Sequence, residues 1–319
     1  MKRKVQALLL TAILCTFGGL HAAAQDTLKV AVPQRGAWDT SVTELGVRSG
    51  VFKKHGLDVQ ILYTQGGAES IQSIIGGSMD VATGVGVASA ISAFSKGAPI
   101  RVIGSEMIGS PDLYWYVLPN SPVKKVEDFN DKTIGYSVTG SSSHAALLEL
   151  IQQYKLKAKP VALDGMQTTL TQTMTGQVDI GWSGAPFGLD VIEQGRARIV
   201  ARGSDVASIA GRTTRVNLAN LQTLQNRKSA IERFMQGYRE IVEWMYSDPA
   251  ALKTYGEFSG LPDTIVQRVR EFIPKETMAP DRIVGMDQIV ADAIKLKFIN
   301  EPLTAEQVKE FIRIPEPPK

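Results

Sequence analysis

The chain has 319 residues, 44% of them hydrophobic, with 35 Lys+Arg, 32 Asp+Glu and a single cysteine, Cys15. Such a composition belongs to an ordinary globular protein and excludes a disulfide framework or a low-complexity chain. The formal net charge of +3 traces to the N-terminus, so it gives no ground for a nucleic-acid or membrane-surface partner.

Met1-Lys2-Arg3-Lys4 is a basic opening, Val5 to Leu20 is mostly apolar, and "HAAAQD" supplies small residues before a polar start. This pattern predicts a secretory signal peptide over residues 1–24, cleaved after Ala24. Gln6, Thr11, Thr16 and Gly18-Gly19 interrupt the apolar run, and no later segment reaches the roughly 20 apolar residues of a membrane-spanning helix. Leu14 stands before Cys15 where a lipid-anchor signal has a small residue. Cleavage would remove Lys2, Arg3, Lys4 and Cys15, leaving 32 Lys+Arg against 32 Asp+Glu and no thiol. The remaining length is that of a two-lobed protein.

In chain order, "TLKVAVP" (27–33) predicts a strand and "TSVTELGVRSGVFKKHG" (40–56) an amphipathic helix stopped by Gly50 and Gly56. "LDVQILYT" is a strand, "AESIQSIIGG" a helix, "MDVATGVG" a strand, "ASAISAFSKG" a helix and "IRVIGSE" a strand. That alternation implies an α/β fold with a mostly parallel sheet. "SPDLYWYVLPNSPVKKVEDF" (110–129) is an aromatic strand punctuated by Pro111, Pro119 and Pro122, as a segment crossing between lobes would be. The pattern then recurs. "TIGYSVTG" (133–140) resembles "KVAVPQRG" (29–36), and "GQVDIGWS" (176–183) lines up with "GSMDVATG" (77–84). "GRTTRVNLANLQTL" (211–224) reads as a returning strand, and the remainder is helical. The expected organisation is a signal peptide (1–24), a first lobe (25–117) and a second lobe (118–210). A return strand with C-terminal helices (211–319) then packs on the first lobe.

The segment "IGYSVTGSSSHAALLEL" (134–150) packs serine, glycine and histidine between a strand and a helix. A phosphate-cradling P-loop fails for want of a lysine after Gly140. A nucleophile elbow fails for want of a second glycine after the serines. Ser143 and His144 are adjacent, and such neighbours on a helix do not face each other. What survives is a capped helix N-terminus, whose free N–H groups and dipole suit an oxyanion. The serines could equally serve as caps alone.

In open α/β sheets, ligands lie outside the carboxyl ends of the strands. The loops there are "PQRGAW" (33–38), "TQGGAE" (64–69), "TGVG" (83–86), "TGSSSH" (139–144), "LDGMQT" (163–168) and "WSGAPF" (182–187). Their glycines bring backbone N–H groups close to a ligand. Trp38 and Trp182 offer aromatic faces and Arg35 an anion clamp, unless the tryptophans are core and the arginine is solvated. Asp80 and Asp179 resemble a catalytic carboxylate pair, but each starts a strand at the opposite end, so both read as turn formers. With only His55 and His144 left after cleavage, no metal or cofactor site is expected.

"GVFKKHGLDVQI", "QGGAESIQSIIGGSMDVATG", "SKGAPIRVIG", "VEDFNDKTIGYSVTGSSSHAALLEL" and "TGQVDIGWSGAP" together resemble the nitrate/sulfonate/taurine (NMT1/THI5-like, SsuA-type) solute-binding proteins of ABC importers. The resemblance covers nearly the whole mature chain. It implies a type II periplasmic-binding fold, with two α/β lobes joined by two crossing strands and the ligand in the cleft. It also implies a monomer working with an inner-membrane permease and its ATPase, without nucleic acid and without catalysis. By matched loop, the implied contacts are Gln34, Arg35, Trp38, Gly67, Ala68, Thr83 and Gly84 from the first lobe. From the second come Gly140, Ser141, Ser142, His144, Gln167, Trp182 and Ser183. The expected solute is a small sulfonate or carboxylate, with a neutral heterocycle such as a pyrimidine precursor as the alternative. Two other roles are open to the same fold. A periplasmic sensing subunit is indistinguishable by sequence. A pyrimidine synthase is disfavoured, because the family's enzyme uses a cysteine-rich motif that the mature chain lacks.

Overall fold

A computed structural model describes residues 25–317, and the expected signal peptide lies outside them. The first sheet is built from β1 (Asp26–Pro33), β2 (Leu57–Thr64), β3 (Val81–Gly86) and β4 (Ile100–Ile108). The second lobe takes β5 (Leu113–Val117), β6 (Thr133–Tyr136), β7 (Lys159–Ala162), β8 (Gly181–Gly184) and β9 (Arg198–Arg202), as a three-stranded and a two-stranded piece of sheet, and β10 (Thr213–Asn220) returns to the first sheet. The first sheet runs β2-β1-β3-β10-β4, with β10 antiparallel to both of its neighbours.

The second lobe repeats this order. β7 and β6 pair in parallel, a parallel bridge joins Ile134 of β6 to Ile180 beside β8, and β5 lies antiparallel between β8 and β9. β5, which the sequence places at the end of the first lobe, therefore occupies the position in the second sheet that β10 occupies in the first. Each sheet is completed by one of the two crossing strands. The internal repeat also holds at single residues. The Asp80 carboxylate accepts from the Lys29 N–H at 2.9 Å, and the Asp179 carboxylate accepts from the Thr133 N–H at 2.9 Å. Both sit at the strand starts, away from the loops at the strand ends.

Four helices accompany the first sheet: α1 (Val42–Arg48), α2 (Val51–Lys54), α3 (Gly67–Ile75) and α4 (Val87–Ser95). The single helix predicted over 40–56 is broken in two, because Gly50 takes a left-handed conformation (φ 76°) between α1 and α2. The second lobe carries α5 (Ser142–Gln153), α6 (Met166–Met174) and α7 (Leu189–Glu193). After β10 come α8 (Leu221–Asn226), α9 (Lys228–Ser247), α10 (Pro249–Ser259), α11 (Asp263–Phe272), α12 (Met286–Lys295) and α13 (Ala305–Phe311).

These last helices cover both faces of the first sheet. On α9 the buried residues Ile231, Phe234, Tyr238, Ile241 and Met245 recur at helical spacing and join Leu28, Val30 and Phe52 in one core. On the other face, Ile289 of α12 and Phe311 of α13 pack with Ile71 and Ile91. Asp248 caps α10, accepting from the Ala250 N–H, with Pro249 at the first helical position. The second lobe has its own core around Trp115, Ile134, Leu147 and Ile180. Both sheets thus point their carboxyl strand ends toward the gap between the lobes.

Candidate functional site

A cavity of about 60 Å³ lies where the strand ends of the two lobes meet. From the first lobe, Gln34 follows β1, Gly66 to Ala68 open α3, and Gly84 and Gly86 end β3. From the second come Ser137 after β6, Ser141 and Ser142 at the start of α5, Met166 at the start of α6, and Trp182 and Gly184 of β8. The α5 terminus is built as the sequence predicts. Gly140 turns the chain at φ 82°, and the Ser141 hydroxyl accepts from the His144 N–H at 3.2 Å. Trp182 is buried, and its indole N–H has no partner in the protein.

The charged residues of this cavity are Asp39, Asp112 and Arg215. The Arg215 guanidinium donates to Asp39 at 2.6 Å, to Asp112 at 2.7 Å and to the Ser142 hydroxyl at 2.9 Å. Asp112 immediately precedes β5 and Arg215 lies within β10, so this ion pair ties the two crossing strands. Burial alone would lower the arginine's pKa, but Asp112, Asp39 and Glu106 together hold it raised. Behind the cavity, Glu106 is 1% exposed, and no N–H or O–H donor reaches its carboxyl oxygens. Burial, and then the neighbouring charge of Asp39, push Glu106 well above the usual carboxylate range. A protonated Glu106 can donate to Asp39, which relieves both groups.

Half of the residues suggested by sequence come together here: Gln34, Gly67, Ala68, Gly84, Ser141, Ser142 and Trp182 all line the cavity. The others are placed elsewhere. Trp38 is fully buried, donates its indole N–H to the Tyr246 hydroxyl at 3.0 Å, and packs edge-on against Tyr255. Arg35 is exposed, stacked 4.7 Å over Phe258 and 5.6 Å over Tyr63. With Gln167 and Ser183 it lines an adjoining outer groove of about 520 Å³, which shares Gln34 and Met166 with the inner cavity. Thr83 is buried behind the lining, with no partner for its hydroxyl. Gly140 is not itself in the lining but packs against Ser89, which is.

His144 also turns away from the cavity. Its Nδ1 accepts from the Gly140 N–H at 3.1 Å, and its ring stacks on Tyr136 and meets the edge of Phe298. Burial lowers its pKa to about 4, so the ring is neutral at physiological pH and serves to brace the loop. The sequence reading passed over Asp39, Asp112, Glu106 and Arg215. The available signal for two of them was a charge inside a strand otherwise suited to a sheet interior, Glu106 beside Arg101 in "IRVIGSE" and Arg215 in "TTRVNLAN".

Solved structures share this fold. The alkanesulfonate-binding protein SsuA from Xanthomonas axonopodis pv. citri, bound to MOPS, matches with TM-score 0.73 at 20% identity, over 86% of this chain and 92% of that one. The periplasmic aliphatic sulphonate binding protein SsuA from Escherichia coli matches with TM-score 0.73 at 18% identity, over 92% and 94%. The desulfurization enzyme DSZB matches with TM-score 0.64 at 15% identity, over 88% and 95%. At such identities the likeness shows the fold, which serves binding and catalysis alike. The fold is the two-lobed type II fold of periplasmic binding proteins. No curated protein matches the chain. The family model described as NMT1/THI5 like matches residues 45–252, and the chain belongs to that family.

Proposed function

We propose that this chain is the periplasmic solute-binding component of an ABC importer, closing its two lobes around a small organic solute that carries an oxyanion. The observation that carries this reading is the interlobe cavity at the strand ends. The N-termini of α3 and α5 line it, together with Trp182, whose indole N–H has no partner in the protein. A sulfonate or carboxylate would accept from these donors, with Gln34, Gly67, Ala68, Gly84, Ser141, Ser142 and Trp182 as the contacts. Export through residues 1–24 would deliver the chain to the periplasm as a monomer. The closed form would then be read by a permease coupled to its ATPase.

Lobe closure would be a two-state equilibrium, drawn toward the closed form by the contacts that a solute makes with both lobes. The serine-histidine loop supports binding over catalysis. The His144 Nδ1 accepts from the backbone, and the Ser141 hydroxyl accepts from the His144 N–H, so neither is arranged to activate a nucleophile. Trp182 beside Met166 favours a second solute class, a neutral heterocycle stacked on the indole.

The test is thermal melting of the signal-free protein, refolded to strip any solute, against sulfonates, carboxylates, nitrate, bicarbonate and pyrimidines. At about a hundred times its dissociation constant, a ligand adds roughly 2.7 kcal/mol, seen as a shift of about 4–5 °C. A shift with one class supports the reading and fixes the solute. No shift with any of them contradicts it.

A further inference from the structure

Glu106 is the one acidic residue of β4 and stands at a fault in the first sheet. Ser105 lies opposite Val216 and Met107 opposite Arg215 of β10, so Glu106 is the extra residue of a β-bulge. Its carboxyl lies just behind the cavity wall, because a Cβ on the cavity-lining Gly84 would be 3.3 Å from Glu106 Oε1. Three acidic side chains, Glu106, Asp39 and Asp112, surround the Arg215 guanidinium, and all four residues are buried. From α9, Tyr238 also faces Glu106, with its phenol held neutral by burial. Arg215 donates to Asp39, Asp112 and Ser142 and gives nothing to Glu106. Both Glu106 oxygens and Asp39 Oδ1 are therefore left without an N–H or O–H donor, although the two side chains meet. Two ionised carboxylates in contact repel strongly in a dry site, whereas one proton between them makes a short, strong hydrogen bond.

Arg215 is also a tie between the lobes. Glu106, Asp39 and Arg215 belong to the first lobe, while Ser142 opens α5 and Asp112 leads into β5 of the second. We propose that Glu106 is a proton-carrying positioning residue for this tie. With its proton donated to Asp39, it makes no claim on Arg215, which stays extended between Asp39 on one side and Asp112 and Ser142 on the other. Once the proton is lost, the Glu106 carboxylate competes for the guanidinium, draws it back into the first lobe and loosens its hold on Ser142. The consequence for closure rests on the reading that the two lobes open and close around a solute.

Two measurements on the solute-free, signal-free chain test this. The first compares urea denaturation of wild type and Glu106→Gln, which keeps a donor for Asp39 and cannot ionise. An unfolded glutamate loses its proton above about pH 4.5, whereas the folded Glu106 keeps its own to a higher pH. Wild type therefore loses this part of its stability as the pH rises, and the variant does not. The folding constant of Glu106→Gln should gain on that of wild type by up to tenfold per pH unit, about 1.4 kcal/mol, until the folded glutamate ionises. His144 titrates in both chains and cancels in the comparison. A ratio that stays level or falls as the pH rises overturns the proposal. The second is small-angle X-ray scattering of both chains over the same range. Wild type should expand as Glu106 ionises and the variant should not; identical behaviour of the two overturns the tie. If Glu106→Gln does not fold, infrared absorption of wild type at neutral pH decides: a protonated-carboxyl band supports the proposal and its absence overturns it. No solute enters these experiments, so the solute-binding reading stands or falls separately, with the melting panel.

Discussion

His144 shows what a single side chain does once its surroundings are known. The unfolded chain takes up the imidazole proton near pH 6.5, whereas burial holds the folded value to about 4. Its contribution to stability is therefore complete above about pH 6.5 and is lost as the pH falls toward 4. Protonating Nδ1 would also set two donors against each other, because the Gly140 N–H already points at it. Urea denaturation across that range should show stability declining on acidification, and His144→Asn should flatten the slope. An unchanged slope in the variant would show that His144 is not the titrating group. The sequence made this residue visible but not its direction, since a histidine after a serine cap can face a ligand or a neighbouring helix equally well. Phe298, some 150 positions further along the chain, supplies the other wall. Arg215 was hidden for a similar reason: its partners Asp39 and Asp112 lie in segments that only the sheet order brings together.

At the level of elements, the strand end of β3 and the start of α5 meet across the cleft with almost no room. A Cβ on Gly86 would lie 2.9 Å from the Gly140 carbonyl oxygen and 3.0 Å from the Ser142 nitrogen, both backbone atoms of the opposite lobe. The backbone of Gly86 (φ −56°, ψ 127°) suits any residue, so its glycine is explained by this approach rather than by a turn. Gly86→Ala should leave each lobe folded and oppose closure. An overpacked contact costs about 1–3 kcal/mol, which would weaken solute binding about 5- to 150-fold. The check is titration of the variant with the solute found by melting; unaltered affinity would mean that binding does not require this approach. Strands, helices and the duplicated α/β unit were legible from alternation and from the matched aspartates Asp80 and Asp179. The placement of β5 was not, because a crossing strand carries the same apolar pattern whichever sheet it completes. Trp38 was misleading in the same way: it belongs to a strand-end loop, yet its partners Tyr246 and Tyr255 come from α9 and α10.

For the whole molecule, the contacts between the lobes are of mixed kind. Lys295 of α12 reaches Glu149 of α5 at 3.6 Å, Arg268 of α11 pairs with Glu193 of α7, and Arg202 of β9 lies 4.8 Å over the Phe272 ring. Lys295, Arg268 and Glu193 are exposed, so the two ion pairs add little on their own. An arrangement that brings the two lobes together can be biased by a solute that touches both. The class of fold was readable because order and spacing along most of the chain carry it, while the charged groups of the cavity, Asp39, Asp112 and Arg215, were not, because they form no local motif. The most direct test is small-angle X-ray scattering of the stripped, signal-free protein, with and without the solute identified by melting. The account predicts that saturating solute makes the particle more compact, and that Gly86→Ala blunts the change. Saturation with no change in the scattering profile would contradict a solute held by closure of the two lobes.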